Sequence, residues 1–318
     1  MRRFILEIAG LAMAAALVSA CGGSDHDNEP ATLVEVAQQN GFSALIAAAQ
    51  KAGLDDDLGA ASASLTVFAP TNAAFNTLAT QLGLADGPAL VAALDGPTLA
   101  KILSYHVLPT KKVAADFTTG PQTTIYTFGG AATTLALNTT SGVVITDAAL
   151  RTTAVTTANV AASNGVIHVI DKVLVPPGVL NVVQMAQSNP GAFSSLVGAV
   201  VSANLAVTLS GTGPFTVFAP TNAAFAAAPA VSAQDLPTVL TYHVLADEVL
   251  SSELGPVFGT PVTTVSGQSI TINAGTAPVI ATITDTTATA ATITAVDVRA
   301  SNGVVHVIDK VLIPSLGN

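Results

Sequence analysis

The decapeptide Thr66-Val67-Phe68-Ala69-Pro70-Thr71-Asn72-Ala73-Ala74-Phe75 recurs without change at Thr216 to Phe225. A second box, SNGVIHVIDKVLVP at 163 to 176, returns as SNGVVHVIDKVLIP at 301 to 314. Between the boxes each half holds a Tyr-His-Val-Leu unit, at Tyr105 to Leu108 and Tyr242 to Leu245. Three markers in one order describe two copies of one domain, and 318 residues are enough for two. The first markers lie 150 residues apart, the second 137 and the third 138, so copy one carries thirteen extra residues between Phe75 and Tyr105. That insertion falls within TLATQLGLADGPALVAALDG and reads as an Ala- and Leu-rich helix and turn covering one side of copy one only. Pro176-Pro177-Gly178 closes the first copy and Leu180 already opens the second, which makes the joint short and stiff. The expected divisions are a leader over 1–20, a tether over 21–30, and domains over 31–177 and 178–318.

Within copy one, Leu33, Val36 and Ala37, then Phe42, Leu45, Ile46 and Ala49, follow the i, i+3, i+4 spacing of amphipathic helices, separated by Asn40-Gly41. Thr32 with Glu35 is a capping-box pair, and Asn181 with Gln184 is its analogue in copy two. TVFAP is a short apolar run of β formers stopped by Pro70, after which Thr71 caps a helix holding Ala73 to Leu78. Residues 123 to 175 and 262 to 313 are dense in Thr, Val and Ile and are broken by Gly129-Gly130, Ser141-Gly142, Asn164-Gly165, Ser266-Gly267 and Asn302-Gly303, the texture of hairpins. A helical first half followed by a β second half makes each copy an α+β domain.

The three boxes together resemble the fasciclin domain, in both copies and over essentially residues 31 to 314. The resemblance implies a β-sandwich-like wedge of about seven strands with packed helices. It also implies an adhesion or matrix-binding role with no catalytic motif and no cofactor.

The leader places Arg2 and Arg3 before an apolar stretch from Ile8 to Val18 and small residues before Cys21. Eleven residues span about 16 Å as a helix, well short of a hydrocarbon core of ~30 Å. Val18-Ser19-Ala20-Cys21 resembles a bacterial lipobox, in which cleavage precedes a Cys that carries lipid, and Gly22 in place of Asp resembles an outer-membrane destination. The alternative is an ordinary secretory signal followed by a free thiol. Residues 22 to 30, GGSDHDNEP, suit a flexible tether in which His26 is solvated. Removing the leader leaves eight basic against nineteen acidic side chains, so no basic stripe exists to neutralise nucleic-acid phosphates or anionic lipid. Half the residues are apolar and 9% are charged, which excludes intrinsic disorder, and a single Cys can form neither an internal disulfide nor a cysteine-rich zinc site.

Four histidines, His106, His168, His243 and His306, fall at equivalent places in the two copies. No paired carboxylate or HExxH spacing accompanies them, so buried structural rings are expected rather than a metal site. Tyr105-His106 and Tyr242-His243, flanked by bulky aliphatics, also resemble an integrin-recognition motif of animal relatives; a core role and a partner contact both stand as readings. Asn72 and Asn222, just inside a helix start, are expected to cap or to hydrogen-bond near the Tyr-His unit. No GxSxG elbow or SxxK marks a nucleophile. Asp171 and Asp309 each stand beside a lysine, Lys172 and Lys310, and read as local ion pairs or turn contacts, while Asp55-Asp56-Asp57 reads as loop charge. The chain has eleven Phe, three Tyr and no Trp, and Phe68, Phe75, Phe218 and Phe225 fall inside the repeated boxes as core positions, so no stacking platform for sugars is indicated. The expected function is a lipid-anchored adhesion or matrix-binding module of the bacterial envelope, on the periplasmic or outer face. Its partner would be an envelope or extracellular protein or polysaccharide, with weak self-association. The competing expectation is a periplasmic carrier or sensor holding a small apolar ligand at the domain joint or under the extra helix.

Overall fold

The computed structural model describes residues 30–316 apart from Ala61 and Pro278. The expectations for the leader, Cys21 and most of the tether fall outside the described residues. Domain 1 opens with three helices, α1 (Leu33–Gln39), α2 (Ser43–Ala52) and α3 (Asp55–Gly59), then strand β1 (Leu65–Pro70). Helices α4 (Asn72–Gln81), α5 (Gly87–Ala93) and α6 (Gly96–Tyr105) follow, then strands β2 (Val107–Leu108), β3 (Gly120–Phe128), β4 (Ala131–Asn138), β5 (Val144–Thr146), β6 (Thr152–Ala162) and β7 (Gly165–Ile170). Domain 2 repeats the order with α7 (Val182–Ser188), α8 (Pro190–Ser202), α9 (Ala206–Ser210), β8 (Phe215–Pro220), α10 (Asn222–Ala227) and α11 (Leu236–Thr241). It ends with β9 (Val244–Leu245), β10 (Pro261–Thr263), β11 (Ser269–Ala274), β12 (Ala281–Thr284), β13 (Ala291–Ala300) and β14 (Gly303–Ile308).

Each domain is therefore α+β with seven strands, in the order β2-β1-β7-β6-β5-β4-β3 and β10-β11-β12-β13-β14-β8-β9. The two repeated boxes meet at the centre: β1 runs parallel to β7 with Phe68 opposite His168, and β8 parallel to β14 with Phe218 opposite His306. Parallel strands covered on both faces must be apolar along their whole length, which is why TVFAP and GVIHVI do not alternate. One face of this strand pair, through Val67, Ala69 and Ile167, packs on the helices; the other, through Phe68 and Ile170, packs on Leu135, Leu137 and Ile145 of β4 and β5. Register shifts in β6 and β13 bend each sheet so that its outer strands, β5, β4 and β3 in domain 1, fold back over that second face of the central pair. Solvent reaches one face of β3 and β4, and their buried and exposed residues alternate accordingly.

Both expected capping boxes form, at Thr32 with Glu35 and at Asn181 with Gln184. The thirteen-residue insertion lengthens α4 and α6 relative to α10 and α11 and adds α5, whose Leu90 and Val91 are buried against the neighbouring helices. Asp55 to Asp57 differ from the expected loop: they form the first turn of α3, where carboxylates favour a helix N-terminus. Its counterpart α9 occupies the same place in domain 2 without the charges.

The joint is packed. Gly178 donates its N–H to the Arg299 carbonyl at 3.0 Å, and the Arg299 guanidinium lies 5.5 Å from the centre of the Phe128 ring. Asn189 Nδ2 donates across the joint to the Ala149 carbonyl at 3.2 Å, and Tyr126 Oη donates to the Pro177 carbonyl at 3.1 Å. Buried side chains form one continuous cluster running from Leu33 and Ala49 through Val173 and Leu180 to Val183 and Phe193. No helix among the described residues is long and apolar enough to cross a membrane.

Candidate functional site

The Tyr-His unit sits where α6 ends. His106 caps that helix: its Nδ1–H donates to the Ile102 carbonyl at 2.7 Å, while Nε2 accepts the Leu174 N–H at 2.8 Å. Domain 2 repeats this geometry, with His243 Nδ1 on the Val239 carbonyl at 2.7 Å and Nε2 on the Leu312 N–H at 2.8 Å. One ring nitrogen donates and the other accepts, so each imidazole is neutral in a single tautomer. Burial pushes both rings down to about 4, against a partial upward pull from the helix carbonyl. The adjacent Tyr105 and Tyr242 hydroxyls donate to the carbonyls of Thr134 at 3.1 Å and Ser269 at 2.9 Å.

These four side chains, the sequence candidates for partner contact, are 1%, 1%, 0% and 2% exposed. That expectation is corrected for the folded domain, because every polar atom they carry is already used in tying α6 and α11 to the sheet and to the terminal box. His168 and His306 are also buried. Each donates from Nε2 to a carbonyl, of Lys112 or Val249, at 2.9 Å, and accepts at Nδ1 the N–H of Asn159 or Asp297, residues with φ of 62° and 57°. Burial lowers the pKa of both rings.

The remaining sequence candidates also hold the fold together. Asn72 accepts the Ala44 N–H at 3.0 Å and donates to the Gly41 carbonyl at 2.9 Å, so it fixes the turn between α1 and α2 rather than reaching the Tyr-His unit. Asn222 does the same for Ser195 and Gly191. Asp171 and Asp309 do not pair with the lysines beside them; they accept the N–H of Ala154 at 2.9 Å and of Thr292 at 2.7 Å. Lys172 instead donates to the Thr152 carbonyl, and Lys310 pairs with Asp285 at 2.6 Å.

Sequence reading treated Asn164 and Asn302 as turn residues only. Asn164 Oδ1 accepts the Leu33 N–H at 2.8 Å, and its Nδ2 donates to the carbonyls of Leu58 at 2.8 Å and Ala60 at 3.0 Å. One side chain thereby anchors the start of α1 and the end of α3 to the β6–β7 turn, and Asn302 does so for Val182, Leu209 and Gly211. The identity of Ser-Asn-Gly in both copies was the available signal.

Between the elements so anchored lies a pocket of about 110 Å³ in domain 1. Its floor is Val67 of β1, Ile167 of β7 and Val107 of β2; its walls are Leu33 and Ala37 of α1 and Leu45 and Ala49 of α2. His106 touches the floor with both nitrogens engaged. Gln38, Gln50 and Asp55 form a polar rim. The equivalent space in domain 2 is about 40 Å³. Neither pocket lies at the joint or under α5, where the sequence reading placed a ligand. Among the described residues no group of three or more His, Cys, Asp or Glu is placed to hold a metal ion.

The fasciclin domain model matches residues 40–176 and 191–314. The chain belongs to the fasciclin domain family. Among its relatives, Protein sll1483 of Synechocystis sp. is 38% identical over 146 residues, covering 43% of this chain and 75% of that protein. Transforming growth factor-beta-induced protein ig-h3 of Sus scrofa is 32% identical over 157 residues, 47% of this chain but only 21% of that longer protein. A solved FAS1 domain pair from the insect cell adhesion molecule Fasciclin I covers 88% of this chain and 95% of its own at 20% identity, with a TM-score of 0.42.

Proposed function

We propose that this tandem fasciclin protein is a non-enzymatic adhesion or matrix-binding module of a bacterial cell envelope, held to the membrane by lipid on Cys21. The observation that carries the reading is the use of the shared boxes. Their histidines, tyrosines and asparagines are spent on internal hydrogen bonds, which leaves binding to the exposed, weakly charged Thr, Ser, Ala and Gln surface. A rigid pair with 9% charged residues suits low-affinity contact with an envelope or extracellular protein or polysaccharide, or with a second copy. The partner surface expected on this reading is the part that differs between copies, above all the exposed face of α4 and α5.

The test is deletion of the gene, followed by measurement of cell aggregation and surface attachment, with complementation by the intact gene and by Cys21→Ala. Loss of attachment restored by the intact gene but not by the alanine variant is the expected outcome. Unchanged attachment in the deletion strain would sink the adhesion reading, and full rescue by Cys21→Ala would sink the anchor.

A further inference from the structure

The pocket under α1 and α2 differs between the copies in a way that points to a ligand. Aligning the copies on Phe42 and Phe193 sets Ala49 of α2 against Val200 of α8, and both side chains face the pocket. The two extra methyl groups of the valine sit where domain 1 is open, and the domain 2 space is about 40 Å³ against about 110 Å³. Close packing is the norm in protein interiors, and domain 2 shows that this fold accommodates a larger residue at this position with the site narrowed to about 40 Å³.

The opening has a chemical character. Its interior is aliphatic, from Leu33, Ala37, Leu45, Val67, Leu103 and Ile167. An apolar cavity of roughly this size, on the order of 150 Å³, stays dry and accepts small apolar molecules. At the rim, the Gln38 and Gln50 amides and the Asp55 carboxylate have no hydrogen-bond partner among the described residues. Asp56 and Asp57 follow Asp55 in the same turn. The nearby cation, Lys51, is turned away, donating to the carbonyls of Val91 at 2.9 Å and Ala92 at 2.8 Å. A carboxylate head would meet like charge and no counter-ion here, whereas a hydroxyl or an ammonium meets free acceptors.

We infer that the domain 1 pocket binds the short alkyl chain of a small free amphiphile whose head is a hydroxyl or an ammonium group. Size decides against a full lipid chain: a cavity on the order of 150 Å³ accepts the six carbons of benzene, so about 110 Å³ holds roughly four. This inference is independent of the adhesion reading.

The experiment is a methyl-NMR titration of the intact two-domain protein with the alcohols from ethanol to hexanol, and with butylammonium and butanoate. Saturable shifts confined to Leu33, Leu45, Leu103 and Ile167 are expected. Affinity should rise roughly fourfold per carbon as each methylene is buried, and level off near four carbons. Butylammonium should bind at least as tightly as butanol, and butanoate at least tenfold more weakly. Ala49→Val, which copies the residue tolerated in domain 2, should weaken butanol binding at least tenfold, and Val200→Ala should open a second site reported by Leu196 and Leu240. Absence of saturable shifts, butanoate binding equal to butylammonium, or an unchanged titration in Ala49→Val would each overturn the inference.

Discussion

Lowering the pH from 7 to 4 forces a choice on His106 and His243. In the folded protein both ring nitrogens are occupied, one donating to a helix carbonyl and the other accepting a backbone N–H, so an added proton must break the Leu174 or Leu312 contact inside the core. The folded rings take that proton only near pH 4, whereas an unfolded histidine takes it at its ordinary value of 6.5. The unfolded state therefore binds more protons throughout this window, and stability rises with pH there. The contribution is complete above pH 6.5, is lost as pH falls from 6.5 towards 4, and is constant below. A gap of about two and a half pH units, at about 1.4 kcal/mol per unit, gives about 3 kcal/mol for each ring. With one such ring in each domain, this is a large share of a typical domain stability of roughly 5–15 kcal/mol. Asp285 does not blur the window. Burial raises its pKa, but Lys310, Thr287 and the Ile313 N–H outweigh burial and hold it below 3.8, so its stabilising contribution is lost only at more acid pH.

The assay is urea unfolding followed by circular dichroism at half-unit steps from pH 7.5 to 4, with ring Cε1–H shifts read by NMR in the folded protein. A fall in midpoint concentrated between pH 6.5 and 4.5 is expected, with no titration of the two folded rings near 6.5. The double variant His106→Gln with His243→Gln keeps a donor and an acceptor but cannot charge, so it should start less stable and lose less over the same range. A flat midpoint, or folded rings titrating near 6.5, would refute the reasoning.

Asp147 is fully buried and accepts from Arg151 Nε at 2.9 Å, Arg151 Nη2 at 2.8 Å and the Val175 N–H at 3.0 Å, so Asp147→Ala should cost about 3–5 kcal/mol by stranding a buried guanidinium. Asp285→Ala should cost less, because Lys310 is 24% exposed; calorimetry of both variants measures the difference. Gly178 adopts φ of 75° and a Cβ there would lie 2.1 Å from the Phe128 ring, so Gly178→Ala should destabilise by at least about 1 kcal/mol and increase proteolysis at the joint. Leu90→Ala should cost about 2–5 kcal/mol in domain 1, read as a lowered thermal midpoint for that transition alone.

What the sequence made legible was local or repeated. The capping boxes could be read because a cap is specified within four residues, and the seven-stranded α+β plan because the boxes meet as the central parallel strands. What it hid depends on direction. Asp171 beside Lys172 looked like an ion pair because the two are adjacent in sequence, yet at the bend after β7 the aspartate reaches the Ala154 N–H and the lysine the Thr152 carbonyl. The Asp55 run looked like a loop because three carboxylates have poor propensity in a helix interior, but at its first turn the same charges are favourable. The pocket was invisible for the same reason. Ala49 acquires meaning only once α2 is known to turn that side chain onto β1 and β7, where domain 2 carries a valine.

The two copies act as controls for each other. Where they agree, as in Tyr105 and Tyr242, His106 and His243, or Asn164 and Asn302, the side chain makes the same internal bond in both domains, so these identities are explained by one fold built twice. Where they part, the fold itself places little constraint. Asp147 and Asp285 occupy matching positions, yet the cation beside them comes from Arg151 in one domain and from Lys310 in the other, and both arrangements satisfy the carboxylate. Differences that satisfy nothing internal are then the informative ones. Ala49 leaves space, Gln38, Gln50 and Asp55 leave polar groups open at its rim, and α5 adds a face that domain 2 lacks. All of these lie in domain 1. The repeat therefore divides the labour: domain 2 shows what this fold requires, and domain 1 carries the additions on which a specific interaction can be built.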